Sequence, residues 1–355
     1  MVDHKINEID IVKVEKSRVN EVDFDKIDFG RVFTDHMFVC DFVNGEWQQP
    51  KIMPYQPMTI EPSARVFHYG QAVFEGMKAF KDNSDNVFLF RPEDNHERIN
   101  KSAARLAMPE FPKQYFLNGL TELLKLDKAW IKSGVGNSLY IRPFIIAIEP
   151  AISAAPANTY RFMIICSPAK AYYTGKVRVL FAEKYSRSAD GGVGFAKAAG
   201  NYAAQFYPTS LAQKKGFQQV IWTDANTHEY LEEAGTMNIF FRINDTLITA
   251  PTNDRILDGI TRKSIIQLAK DNDISVEVRR ISVSEVKEAA NNGTLKEIFG
   301  TGTAAVISPI SAFEHAEKVF ELPDVEKSYA TLLKQELLNI QHNLTEDKHG
   351  WRLDV

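Results

Sequence analysis

The period of apolar and polar residues changes along this chain, and each change marks a predicted element. Runs rich in β-branched and aromatic residues predict strands at Met37–Phe42, Val87–Phe90, Leu139–Ile148 and Arg161–Cys166. Between them, Asn95–Met108 and Gln114–Lys132 carry helical spacing. In the second of these, Phe116, Leu117, Leu120, Leu124 and Ile131 share one face. Further strands are predicted at Val177–Ala182, Gln219–Thr223, Met237–Ile243, Thr246–Ala250 and Ser275–Val278, with Asn244-Asp245 as a tight turn joining two of them. Helices fit Ala199–Lys215, Thr261–Asn272 and Asp324–Gln341. In the last, Asp324 follows Pro323 as a cap, and Val325, Tyr329, Leu332, Leu333, Leu337 and Ile340 form the buried stripe. Helices interspersed with strands at uneven spacing, some close enough to pair antiparallel, predict an α+β fold rather than a doubly wound parallel sheet.

A chain of 355 residues suits two domains better than one core. The Pro- and Gly-punctuated run Ser167–Gly175, after the strand ending at Cys166, reads as their connection. That divides the chain into a smaller domain at 1–169, a loop at 170–179 and a larger domain at 180–355. A net charge of -4 leaves no basic surplus to neutralise phosphates, which excludes a general nucleic-acid binder. Cys40 and Cys166 make neither a disulfide framework nor a zinc site, and no metal-binding motif is present. Met1 to Asp10 is polar, without the apolar stretch of a secretory signal, and no run approaches the ~20 apolar residues that span a membrane. A cytoplasmic protein is expected.

Three stretches suggest chemistry. In Gly191-Gly192-Val193-Gly194-Phe195-Ala196-Lys197-Ala198-Ala199-Gly200-Asn201-Tyr202, one lysine stands among small and apolar residues with no acid. Such surroundings disfavour an ammonium ion and suit a Schiff-base lysine, although a lysine reaching out of a Gly-rich loop has the same sequence. In Leu231-Glu232-Glu233-Ala234-Gly235-Thr236-Met237-Asn238, a carboxylate precedes an apolar strand. It is able to face a pyridinium nitrogen, or to be one of two solvated glutamates in a turn. In Phe299-Gly300-Thr301-Gly302-Thr303-Ala304-Ala305-Val306, glycines and hydroxyls offer donors to an anion, as does the helix start at Gly259-Ile260-Thr261. The G-x-G-x-x-A spacing in the third lies near the C-terminus and precedes Ser308-Pro309, the wrong context for a dinucleotide site.

Together these stretches resemble the branched-chain aminotransferases of the fold-type IV class. The resemblance runs from Phe29-Gly30-Arg31-Val32-Phe33-Thr34-Asp35-His36-Met37 nearly to Trp351. It takes in His68-Tyr69, Phe74-Glu75-Gly76-Met77-Lys78-Ala79-Phe80, Ser138-Leu139-Tyr140-Ile141-Arg142-Pro143, Lys197 with Gly200-Asn201-Tyr202, Glu233 to Asn238, and Gly259-Ile260-Thr261-Arg262. It implies two domains, each a largely antiparallel sheet or barrel with packed helices, and pyridoxal 5′-phosphate where they meet.

The resemblance also implies roles. Lys197 would carry the cofactor as a Schiff base and shuttle the α-proton. Tyr202 would donate to the ring oxygen, and Glu233 would pair with the ring nitrogen. Arg98, Thr303 and the N–H groups of Ile260 and Thr261 would hold the phosphate. Phe29, Tyr69, Phe74, Lys78 and Tyr140 would line the substrate slot, with Thr236 and the Ala304 N–H on the α-carboxylate and Arg142 on the second carboxylate of glutamate. Ala154 would reach a partner subunit's slot, implying a homodimer. The substrates implied are L-leucine, L-isoleucine and L-valine with 2-oxoglutarate, giving branched-chain 2-oxo acids and L-glutamate. Where some relatives carry a redox C-x-x-C, this chain has Ala305 and Ser308, and the absence of an N-terminal extension argues against a mitochondrial form. Rival readings are a D-amino-acid aminotransferase, an aminodeoxychorismate lyase, or a binding protein that kept the fold.

Overall fold

The computed structural model describes residues 8–170 and 177–355. The chain forms two compact units, Met1–Tyr172 with Ala196–Ala199 and Ile340–Val355, and Tyr173–Phe195 with Gly200–Asn339. Two stretches of the later chain therefore group with the first unit, and one of them carries Lys197.

The first unit is built on a ten-stranded sheet, antiparallel except where Asp10–Ile11 joins Lys51–Pro54. Its longest ladder pairs Ser138–Ala147 with Tyr160–Ala169. Alternation puts Phe38 and Cys40 of His36–Val43 on the face that also carries their register partners Ile164 and Phe162. That face is covered by Phe116, Leu120, Leu123 and Leu124 of the helix Lys113–Leu126. Gly119 permits the close seating: a Cβ there would lie 2.5 Å from the Phe38 ring. On its other edge Ser138–Ala147 pairs with two short strands, Ala72–Phe74 and Met77–Lys81. Glu75 and Gly76 interrupt these strands, and the Glu75 N–H donates to the Pro143 carbonyl at 2.7 Å.

In the second unit, Met237–Ile243, Leu295–Gly302, Val306–His315, Val177–Phe181, Gln219–Thr223 and Tyr230–Ala234 pair in that order, and the last returns to the first. This closes a six-stranded barrel, leaving no open edge in the ring. The two pairings of Val177–Phe181 are parallel, and the other four are antiparallel. Val177, Val179, Phe181, Ile239 and Phe241 supply one buried face, and the Phe181 ring stacks on Phe313.

Several elements depart from the sequence expectation for identifiable reasons. Ala199–Lys215 is two helices, Ala199–Ala203 and Phe206–Lys214. Pro208 lacks the N–H that a continuous helix needs, and a restart places it harmlessly in a first turn. The helix expected to reach Lys132 ends at Leu126. Asp127 turns aside because its carboxylate accepts from the His36 backbone N–H (3.1 Å) and meets His36 Nδ1 (2.6 Å). The last long helix begins at Tyr329, capped by Ser328, whose Oγ accepts from the Thr331 N–H at 3.1 Å, rather than by Asp324. Ser167, Pro168 and Ala169, expected in a connection, finish a strand, and residues 171–176 of that connection lie outside the described residues.

Candidate active site

Lys197 is half-buried in an irregular run ahead of the helix Ala199–Ala203. Its N–H donates to Ser102 Oγ (2.9 Å), and its carbonyl accepts from the Phe74 N–H (3.1 Å). Both bonds fix the backbone, so only the side chain remains to move. The Nζ lies 4.7 Å from the centroid of the Phe74 ring, within cation–π range. The Arg142 guanidinium stands at the same distance from that ring and 5.3 Å from Tyr140, whose hydroxyl accepts from Arg142 Nη2 at 2.9 Å. Phe29 meets Tyr140 edge-on at 4.9 Å. The fold thus gathers Phe29, Phe74, Tyr140, Arg142 and Lys197, which lie far apart in sequence, into one group. Lys78 is buried on the neighbouring strand, in register with Tyr140.

Arg98 comes from the helix Pro92–Arg105 and is buried there rather than solvated. It makes a forked pair with Glu75, Nε to Oε1 at 2.7 Å and Nη2 to Oε2 at 2.8 Å. Tyr69 is 48% exposed, and its hydroxyl donates to the Ile152 carbonyl. That turns it toward the loop carrying the exposed Ala154. Buried Arg65 pins the same loop through the Pro156 carbonyl (2.5 Å) and Ser153 Oγ (3.0 Å).

The second unit carries the other expected residues. Glu233 is the penultimate residue of the barrel strand Tyr230–Ala234, before the turn Gly235–Thr236, and neither it nor Glu232 is solvated. Glu233 Oε1 pairs with buried Arg187 at 2.7 Å and accepts from the Leu257 N–H at 3.3 Å, while Oε2 accepts from Asn238 Nδ2 at 3.3 Å. Glu232 pairs with Arg255. Burial pushes the Glu232 carboxyl above its ordinary range against the pull of Arg255. Asn238 also donates to the Leu257 carbonyl (2.9 Å), tying Glu233 to the approach of the helix Ile260–Asp271. Gly259 leaves this helix start bare. A Cβ there would press on the Asn238 side chain, 3.1 Å from its Cγ. Ile260 and Thr261 are the first two helical residues, whose N–H groups have no intrahelical acceptor. Thr303 and Ala304 occupy the turn after Leu295–Gly302, and Tyr202 is half-buried in the helix Ala199–Ala203.

Glu75 and Arg187 are functional candidates that sequence reasoning did not assign. Glu75 was visible only as part of Phe74-Glu75-Gly76, and its partner Arg98 lies 23 residues on. Arg187 sits in the polar run Lys184-Tyr185-Ser186-Arg187, which reads as surface. A phosphorylated pyridine aldehyde asks for an anion seat, a primary amine and a carboxylate for its ring nitrogen. The residues fit. The first unit offers Arg98 as an anion donor and Lys197 as an amine; the second, taken by itself, offers the bare helix start as anion donors and Glu233 as a carboxylate. Among the described residues, no cluster of His, Cys, Asp and Glu suits a metal, and no helix is long and apolar enough to cross a membrane.

Residues 72–313 match the family model described as amino-transferase class IV. A branched-chain-amino-acid aminotransferase 2 of Bacillus subtilis is 43% identical over 349 residues, covering 97% of this chain and 96% of its own. Among solved structures, a branched-chain aminotransferase from Thermoproteus uzoniensis with norvaline superposes with a TM-score of 0.75 at 24% identity, over 90% of this chain and 99% of the other. A branched-chain amino acid aminotransferase from Escherichia coli gives 0.71 at 25% identity, over 90% and 98%.

Proposed function

The chain belongs to the amino-transferase class IV family, and we propose that it catalyses reversible transamination between L-leucine, L-isoleucine or L-valine and 2-oxoglutarate, as a cytoplasmic homodimer. Its cofactor is pyridoxal 5′-phosphate. When bound, the cofactor supplies an aldehyde that takes up the substrate amino group and a ring that disperses the electron pair left at the α-carbon.

The chain's own residues supply the rest. Lys197 Nζ takes the α-proton from the substrate and gives it back at the neighbouring carbon, first base and then acid. Its backbone bonds to Ser102 and Phe74 set where that nitrogen swings. Glu233, its charge balanced by Arg187, holds a proton on the ring nitrogen, and Tyr202 donates to the ring oxygen. In the first unit Arg98 binds phosphate. In the second, the N–H groups of Ile260 and Thr261 and the Thr303 hydroxyl do so, on the dipole-favoured end of a helix. Thr236 and the Ala304 N–H take the α-carboxylate, and Ala154 reaches the partner's slot. Phe29, Tyr69, Phe74, Tyr140 and the Lys78 stem enclose the side chain, favouring aliphatic groups by area burial.

The observation that supports this reading best is the Phe74 ring shared by Lys197 and Arg142, both at 4.7 Å. It sets the reactive amine beside an aromatic wall headed by a guanidinium, which serves both an aliphatic side chain and a second carboxylate. The test is steady-state transamination of the three L-amino acids with 2-oxoglutarate, alongside Lys197→Ala. The variant is expected to fold and to lose turnover. Near wild-type rates, or faster turnover of D-alanine than of L-leucine, would overturn the assignment.

A further inference from the structure

Glu75 is fully buried, at 0% exposure, and its carboxylate is surrounded by donors. Oε1 accepts from Arg98 Nε at 2.7 Å. Oε2 accepts from Arg98 Nη2 (2.8 Å), Asn95 Nδ2 (2.7 Å) and the Gly76 N–H (3.1 Å). The helix that supplies Asn95 and Arg98 also supplies Ser102, one turn on. Ser102 Oγ donates to the Arg98 carbonyl (2.9 Å) and accepts from the Lys197 N–H. Lys197 in turn accepts from Phe74, the residue before Glu75. The contacts therefore form a closed circuit through Glu75, Arg98, Ser102, Lys197 and Phe74.

A buried ion pair is often no more stabilising than apolar residues of the same volume, so folding alone does not call for a carboxylate here. Its charge reaches two cations. Burial raises the Glu75 carboxyl, but the attraction of Arg98 and then Lys197, with the Asn95 bond, brings it below the ordinary range. Around Phe74 and Lys197 this unit gathers the charged and titratable side chains of Glu75, Lys78, Arg98, Arg142 and Tyr140, and among these Glu75 carries the carboxylate.

We propose that Glu75 is a positioning residue shared by the anion seat and the reactive amine. Its forked pair clamps Arg98 by Nε and Nη2 and so sets the plane in which the guanidinium would meet phosphate, while its charge acts on the Lys197 nitrogen. This rests on the function proposed above and adds to it a residue that couples phosphate recognition to proton handling.

Two variants separate the two effects. Glu75→Asp keeps the charge but withdraws the fork by one methylene. Glu75→Gln keeps the length but removes the charge. With apoenzyme, Glu75→Asp is expected to weaken pyridoxal 5′-phosphate by about tenfold while leaving pyridoxal, which lacks the phosphate, nearly unchanged. With cofactor bound, Glu75→Gln is expected to move the pH midpoint of the visible absorbance band down by roughly one unit, and Glu75→Asp to leave it in place. A purely structural Glu75 would lower the melting temperature and weaken both ligands equally without moving the midpoint, and that result overturns the proposal. If Glu75→Gln does not fold, Asn95→Ala tests the clamp through the same ratio of phosphorylated to unphosphorylated ligand, and an unchanged ratio again overturns it. Wild-type protein that develops no visible band with pyridoxal 5′-phosphate would instead refute the underlying function.

Discussion

Replacing Gly76 by alanine puts a methyl group against the head of Tyr140. The new Cβ would lie 3.0 Å from Tyr140 Cζ, with the hydroxyl oxygen well inside contact. Gly76 does not use the positive-φ region, so the backbone accepts alanine and the collision falls on the tyrosine. Relief requires the hydroxyl to retreat by about an ångström, which stretches the 2.9 Å bond from Arg142 Nη2 beyond hydrogen-bonding range. A hydrogen bond to a charged group contributes about 1.5–3 kcal/mol, or roughly tenfold to a hundredfold in affinity. That loss should fall on 2-oxoglutarate and glutamate, whose second carboxylate is assigned to Arg142. Leucine should lose only what one methyl of slot volume is worth, about 0.8 kcal/mol or fourfold. KM values for 2-oxoglutarate and for leucine, measured separately in Gly76→Ala, give the comparison. Thermal unfolding monitors the overpacking cost of about 1–3 kcal/mol. Equal factors for the two substrates would refute the assignment of Arg142.

Arg187→Leu removes one partner of a buried pair and should destabilise the fold by about 3–5 kcal/mol with loss of cofactor retention; Arg187→Leu with Glu233→Leu should regain stability in thermal melts but not turnover. Burial raises Asp224, but backbone N–H groups of Tyr230, Thr227 and Glu229 outweigh it and bring the carboxyl down to about 2. A depressed carboxyl stabilises the fold above its unfolded pKa near ~3.9, so roughly 2–3 kcal/mol should disappear as pH falls from about 4 to about 2. Denaturant melts across that window should show a loss in wild type that exceeds the loss in Asp224→Asn by about that amount. Ser328→Ala should cost about 1 kcal/mol in urea melts and Asp324→Ala clearly less, because the cap is Ser328.

Much of the architecture was legible in the sequence where one physical signal dominated. Gln219–Thr223, Met237–Ile243 and Ser275–Val278 are strands with the expected bounds, since each is a short β-branched or aromatic run closed by polar residues. The helix Val283–Asn291 went unassigned, although Ser282 and Glu285 make a capping pair, the Ser282 Oγ accepting from the Glu285 N–H at 3.0 Å. Lys197 and Glu233 stood out by local composition, and resemblance then supplied roles that spacing alone left open. Glu75 and Arg187 did not stand out. Each acquires its meaning from a partner distant in sequence, and a buried charge is indistinguishable from a solvated one until that partner is placed. Lys197 likewise looked isolated from acids because its neighbours in sequence are small and apolar. The fold brings Glu75 within electrostatic reach of it.

The tail Ile340–Val355 belongs to the unit that begins the chain, and Arg352–Asp354 pairs with Val87–Phe90 at the end of its sheet. The Trp351 carbonyl accepts from the Arg91 N–H, and the Val355 N–H donates to Val87. A ribosome makes these residues long after the strands they join. During synthesis the Val87–Phe90 border therefore stays unpaired until the much later strand Arg352–Asp354 emerges to cover it. A nascent polypeptide in that state offers a template for a neighbouring one on the same message, and a chaperone holding the N-terminal half would shield that edge.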